Sequence, residues 1–167
     1  MKQSVEQALE NMGRVYTLEA AEMPVDWEDP LDVSFASPIA VKAEYVFDGK
    51  AVIFRGTIHA DIQAQCGSCL KEFLYSMDIP FADAFSREPD EEEGEYGFDG
   101  EEVLLDKMIL DEISLHLPVR FLCREDCKGL CPSCGANLNL TTCDCDSTDL
   151  DPRMAKIRDV FSKFKEV

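Results

Sequence analysis

Between Ile39 and Phe85, apolar and polar residues alternate. Ile39, Val41, Ala43, Tyr45 and Phe47 take every second position, and after Asp48-Gly49 the rhythm resumes with Val52, Phe54, Gly56, Ile58, Ala60, Ile62, Ala64 and Cys66. A period of two marks a half-buried strand, and Asp-Gly between two such runs is a strong hairpin signal. Taken as a two-residue turn, it sets Tyr45 against Val52, Ala43 against Phe54 and Ile39 against Ile58, with both apolar sets on one side. A third run, Phe73, Tyr75, Met77, Ile79 and Phe81, follows Gly67-Ser68. That turn pairs Phe73 with Ile62, Tyr75 with Ala60 and Phe81 with Phe54, and it sets Cys66 opposite Cys69 on the buried face. The centre of the fold is therefore expected to be an antiparallel meander.

Helical spacing flanks the meander. Val5, Ala8, Leu9 and Met12 predict a short helix over residues 3–13, ended by Gly13, and Arg14 to Leu18 reads as a strand. Pro24, Pro30 and Pro38 leave residues 19–37 irregular, with one short strand around Leu31 to Phe35. Val103 to Leu105 reads as a strand, and Asp106 as the cap of a helix through Leu115 that turns Met108, Ile109 and Ile113 inward. Asp149 or Asp151 caps a last helix with Pro152 at its first position. Met154, Ile157, Phe161 and Phe164 form its apolar stripe, and Arg153, Lys156, Arg158, Lys163 and Lys165 its basic face. The predicted class is α+β: an antiparallel β-meander packed with helices, plus a cysteine-rich zinc module. Residues 1–122 make the body, with an acidic loop at 88–102, and residues 123–167 make the module and basic helix. No internal repeat is visible in the sequence.

Cysteine brings in the chemistry. Six of the eight cysteines fall between Cys123 and Cys145. In Cys131-Pro-Ser-Cys134-Gly135, two intervening residues let both sulfurs reach one ion, and the glycine permits the tight turn that follows. Cys143 and Cys145 are close enough to complete a four-sulfur site. Cys66 and Cys69 read as half of a second site, completed by Cys123 and Cys127. Zinc, one ion or two, is the expected cofactor, with an iron–sulfur cluster the other tenant of an all-thiolate shell. A single zinc held by Cys127, Cys131, Cys134 and one of the last pair is a second arrangement. Other readings are small core residues for Cys66 and Cys69, redox-active pairs, or disulfides. The start MKQSVEQALE has neither a basic region nor an apolar run, so a cytoplasmic, reducing setting is expected, which disfavours disulfides.

Charge narrows the partners. The chain carries 34 acidic and 16 basic residues, a net −18. Phosphate backbones repel such a body, which confines direct RNA contact to the basic tail, whereas a basic protein partner fits. Glu88 to Glu102 holds nine carboxylates and is expected to be a solvated loop; as a docking surface for a basic partner it would use Tyr96 and Phe98 as anchors. No stretch reaches membrane-spanning length, so no membrane contact is expected. The only histidines, His59 and His116, lie on a polar strand position and at a helix end. Phosphate-cradling, GxSxG and HExxH motifs are missing, and neither an enzyme nor a small-molecule substrate is expected.

The stretch LLDKMILDEISLHLPVRFLCREDCKGLCPSCGANLNLTTCDC, followed by DPRMAKIRDVF, resembles the C-terminal signature of the YceD-like family, the large ribosomal RNA subunit accumulation proteins. CGSCL resembles that family's upstream CxxC element, and the likeness extends over about residues 40–164. It implies a bacterial cytoplasmic protein, with plant organellar counterparts, needed for normal accumulation of large-subunit ribosomal RNA. It brings no catalytic residues. Together with the acidic body it leads to the expectation of a non-enzymatic protein that binds a basic large-subunit ribosomal protein or the assembling large subunit. Direct RNA binding through the basic C-terminal helix, or a redox-responsive zinc chaperone, are the alternatives. Some family members keep the first cysteine pair and lack part of the later set, which implies a stabilising staple for the latter.

Overall fold

The computed structural model describes residues 1–23, 34–89 and 96–145. The chain divides into two compact units, one of Met1–Gln65 and Glu72–Phe121, the other of Cys66–Lys71 and Leu122–Val167.

In the first unit, strands β1 (Lys2–Ser4), β2 (Val15–Glu22), β3 (Ser34–Phe35), β4 (Ile39–Phe47), β5 (Ala51–Gln65), β6 (Glu72–Ser86), β7 (Tyr96–Gly97) and β8 (Glu102–Leu104) accompany helices α1 (Glu6–Glu10) and α2 (Asp106–His116). The main sheet runs β2-β4-β5-β6-β7, with β3 also beside β5, and β1 pairs with β8 in a small second sheet. All pairs are antiparallel except β6 with β7. Val41, Phe54, Ile58, Ile62, Ile79 and Phe85 fill the buried face of the main sheet, and they share one core with Val5 and Ala8 near α1 and Met108, Ile109 and Ile113 of α2. Fully burying each large side chain of this kind contributes about 1.5–3 kcal/mol.

The meander forms where the alternation predicts it, but both hairpins slip by two residues. Tyr45 faces Phe54, Ala43 faces Gly56 and Val41 faces Ile58. The turn residues are Gly49 and Lys50 rather than Asp48 and Gly49, because the Asp48 carboxylate accepts the N–H groups of Lys50 and Ala51, both at 2.8 Å. Gly49, at φ +103°, takes the first turn position, which requires positive φ in this type of hairpin. A slip of two keeps each side chain on its face, so the apolar pattern alone cannot detect it. What the observed register gains is an aromatic ladder. Tyr16, Tyr45, Phe54, Phe85 and Tyr96 contact one another in succession across five strands, at centroid separations of 5.6, 5.0, 5.3 and 5.3 Å. Each such contact adds about 0.5–1.5 kcal/mol beyond its buried area.

The second hairpin slips in the same sense. Phe73 faces Ala64, Tyr75 faces Ile62 and Phe81 faces Gly56. Cys66 bonds to Lys71 across a wider turn instead of standing opposite Cys69.

At the N-terminus, a strand takes the first two residues of the expected helix. Lys2–Ser4 pair with Glu102–Leu104, α1 is reduced to Glu6–Glu10, and Met12 is exposed. A helix this short is marginal alone, and a partner strand outcompetes it. Asp106 does not cap α2. It is the first helical residue, with Leu105 at the cap, and its carboxylate receives the Met1 amine. Of the strand expected around Leu31 to Phe35, only Ser34 and Phe35 are described. Residues 90–95 of the acidic loop and the basic helix expected after Asp149 lie outside the described residues.

Candidate metal centres

All eight cysteines lie among the described residues, none is in a disulfide, and they fall into two groups of four in the second unit. Cys66, Cys69, Cys123 and Cys127 form one group; Cys131, Cys134, Cys143 and Cys145 form the other, and within each group the sulfurs lie within 4.8 Å of one another. Cys127 thus sits apart from Cys131 and Cys134, and the single-ion set that mixes them is not the one assembled.

Each group is built on the same turn. The N–H of Cys66 donates to the carbonyl of Lys71, and that of Leu70 to the carbonyl of Cys66, both at 2.9 Å. The six residues from Cys131 to Ala136 reproduce this: the N–H of Cys131 donates to the Ala136 carbonyl at 2.8 Å, and that of Gly135 to the Cys131 carbonyl at 2.9 Å. The residue after the second cysteine has positive φ in both turns, Leu70 at 58° and Gly135 at 72°. These two knuckles are a structural repeat that the sequence analysis missed. The visible signal was Cys-x-Ser-Cys in both places, Cys66-Gly-Ser-Cys69 and Cys131-Pro-Ser-Cys134.

The sulfur spacing tests whether an ion fits. Four thiolates about 2.3 Å from a tetrahedral zinc stand about 3.8 Å from one another. Cys66 and Cys127 are 3.7 Å apart at Sγ, as are Cys69 and Cys123. Disulfide sulfurs would be about 2.0 Å apart. Two opposite edges of the first group therefore have the length a tetrahedral zinc site requires, and all four sulfurs lie within 4.8 Å of one another.

Electrostatics point the same way. Burial pushes the Cys66 thiol up, but N–H groups of Cys123, Ser68 and Cys69 outweigh it and bring the thiol down to about 6. Burial and the neighbouring thiols push Cys123 up to about 12. In the second group, N–H groups of Cys134 and Ser133 bring Cys131 down to about 6, while the Cys134 side chain, burial and Cys131 push Cys145 up to about 12. Burial pushes Cys127 up as well, but the Gly129 N–H and the Asn139 side chain outweigh it and lower that thiol. The first group therefore favours two thiolates and the second one, and each penalises further negative charge. A divalent cation removes that penalty and lets all four sulfurs ionise. Zinc fits this donor set; with four sulfur ligands it would be a closed, structural ion with no position for substrate. Cys66, Cys69 and Cys131 are buried, whereas Cys134 and Cys145 are exposed, so the first group is the better enclosed.

One contributor was not anticipated. Asn139 donates from Nδ2 to Cys127 Sγ at 3.4 Å. An asparagine among turn residues, with Asn137 two positions before it, carries no sequence signal for this role.

The histidines stand elsewhere. His59, on β5, meets Asp78 at 2.8 Å and Asp61 at 3.6 Å, and His116 reaches the Glu112 carbonyl at 2.8 Å. Among the described residues, no helix is long and apolar enough to cross a membrane.

A family model described as "Large ribosomal RNA subunit accumulation protein YceD" matches residues 54–161, a stretch that contains all eight cysteines. The chain is 32% identical to an uncharacterized protein of Mycobacterium tuberculosis over 124 residues, covering 70% of this chain and 58% of the relative. It is 25% identical over 156 residues to the chloroplastic large ribosomal RNA subunit accumulation protein YCED homolog 1 of Arabidopsis thaliana, covering 74% of this chain and 49% of that one. The homolog 1 of Zea mays is 47% identical over 45 residues, 26% of this chain and 15% of its own length. The chain thus spans less than two thirds of the curated relatives it matches. No solved structure matches.

Proposed function

The chain belongs to the YceD family of large ribosomal RNA subunit accumulation proteins, and on that premise we propose that it is a non-enzymatic ribosome-assembly factor that supports accumulation of large-subunit RNA. The observation that carries this reading is the family match over residues 54–161. In the proposed mechanism the acidic body binds a basic large-subunit ribosomal protein, or the assembling subunit, and shields its positive charge until that surface meets RNA. The net charge of −18 supports this choice of partner. Electrostatic complementarity speeds encounter and selects basic partners more than it sets final affinity. The setting proposed is a reducing cytoplasm, where eight thiols remain available for two structural zinc ions.

The test is recovery of the tagged chain from its own cells, with and without ribonuclease, followed by mass-spectrometric identification of what accompanies it. A small basic ribosomal protein that persists after RNA digestion, and dissociates as salt rises, is the expected result. If ribosomal proteins accompany the chain only while RNA is intact, contact runs through RNA and the shielding mechanism is wrong. In that case Arg153, Lys156 and Arg158 of the tail become the leading contact residues.

A further inference from the structure

The two cysteine groups are joined by more than the chain between them. Asn139 lies between Cys134 and Cys143, inside the loop that the second group closes, yet its side chain serves the first. Its Oδ1 accepts from Arg124 Nη2 at 2.6 Å and from the Lys128 N–H at 2.9 Å. Two donors converging on one atom settle which end of the amide is oxygen, and they leave Nδ2 facing Cys127 Sγ. The same Nδ2 donates to Asn137 Oδ1 at 2.9 Å, and the Asn139 N–H donates to that oxygen at 3.0 Å, so the rotamer is held from both sides. Gly129 and Leu130, between the groups, form a shared backbone spine. Leu130 donates its N–H to Ser68 in the first knuckle, and Gly129 accepts from Leu138 beside the second. Gly129 has φ +72°, and a Cβ there would stand 3.0 Å from the Ser68 carbonyl oxygen, so the approach depends on glycine.

We propose that Asn139 is a positioning residue for the metal of the first cysteine group, and that loading the second group tightens metal binding at the first. The inference rests on the reading of both groups as metal sites. An ion held by Cys131, Cys134, Cys143 and Cys145 closes loop 135–142 and fixes Asn139 against Cys127. An N–H donor directed at a ligating sulfur spreads its charge and holds its direction, and outer partners of this kind typically alter metal affinity about 10- to 100-fold. With the second group open, the loop must be ordered at the moment the first ion binds, and affinity falls accordingly. Coupling of binding is reciprocal, so loading the first group tightens the second by the same factor.

The experiment uses the full chain, stripped of metal under reducing conditions and titrated with zinc against a chromophoric chelator. Mass-spectrometric alkylation footprinting reports which cysteines each ion protects. Asn139→Asp is the informative variant, because it keeps the acceptor for Arg124 and Lys128 but turns an oxygen toward the Cys127 sulfur. The expected result is a loss of about tenfold or more in zinc affinity at Cys66, Cys69, Cys123 and Cys127, with the second group still loading. Disabling the second group by Cys134→Ser with Cys145→Ser should produce a loss of similar size at the first. Adding Asn139→Asp to that variant should cause little further loss, since both changes remove one interaction. Unchanged first-group affinity in Asn139→Asp, or losses that simply add, would overturn the coupling and leave both metal sites standing. A wild-type chain that protects no cysteine with zinc would overturn the metal reading itself, and the coupling with it.

Discussion

Asp83 is the residue at which the fold is least at ease. Its Oδ2 is buried without a hydrogen-bond partner among the described residues. Burial first, and then the charges of Glu112 and Asp111, push its carboxyl from 3.8 up to about 6. The folded chain thus holds a proton there that the unfolded chain releases, and stability declines as pH rises from about 4 through about 6. Asp83→Asn removes the charge and should stabilise the protein at neutral pH by about 1 kcal/mol, once partial solvent screening is allowed for. Thermal unfolding at pH 5 and pH 7.5 checks this, and a gain of the same size at both would refute the assignment. His59 is raised above 6.5, chiefly by its hydrogen bond to Asp78, with Asp61 assisting. Its contribution is full below 6.5 and is lost as pH rises through the folded value. An NMR titration should find that shift, and Asp78→Asn should remove most of it. His59 does not announce this in the sequence. Asp83 does so in part, since it takes the core-facing parity of β6 between Phe81 and Phe85, but the two carboxylates that α2 sets near it are not legible there.

Among the elements, β5 carries the most consequence. Gly56 lies where an added Cβ would stand 2.1 Å from the Lys42 carbonyl oxygen and 2.6 Å from the Ala43 Cα. These are backbone atoms and cannot step aside cheaply. Gly56→Ala is therefore expected to cost at least about 2 kcal/mol in chemical denaturation, comparable to overpacking a core. A near-neutral result would mean that β4 and β5 are not this close at Gly56. The strands themselves were legible from alternation, whose physical cause is local: one face of each strand meets the core. Their registers were not, because a slip of two preserves every face. Asp48 bonding to Lys50 and Ala51, and the stacking of Tyr45 on Phe54, select among the slips. The short N-terminal helix was overestimated for a related reason, since pairing of Lys2–Ser4 with β8 bridges about a hundred residues of sequence.

For the whole molecule, the predictions concern metal. Native mass spectrometry should find two zinc ions per chain; a single ion would sink the two-centre reading. Chelation under reducing conditions should abolish amide-exchange protection in 66–71 and 122–145 while β4, β5 and β6 stay protected, because the first unit has its own apolar core and the second is held largely through its sulfurs. Loss of protection throughout would show the core to depend on metal as well. The sequence by itself determined the strand-forming stretches, the acidic character and the concentration of thiols, since alternation, charge and residue type are properties of short stretches of chain. It also carried the family signature in the cysteine run. The two groups of four cysteines were also legible as one of two arrangements, and the tertiary structure decided between them. Only the tertiary structure decided the hairpin registers, the shared geometry of the two knuckles and the reach of Asn139 across to Cys127, because each depends on distances between residues, such as Cys127 and Asn139, that local patterning along the chain does not set.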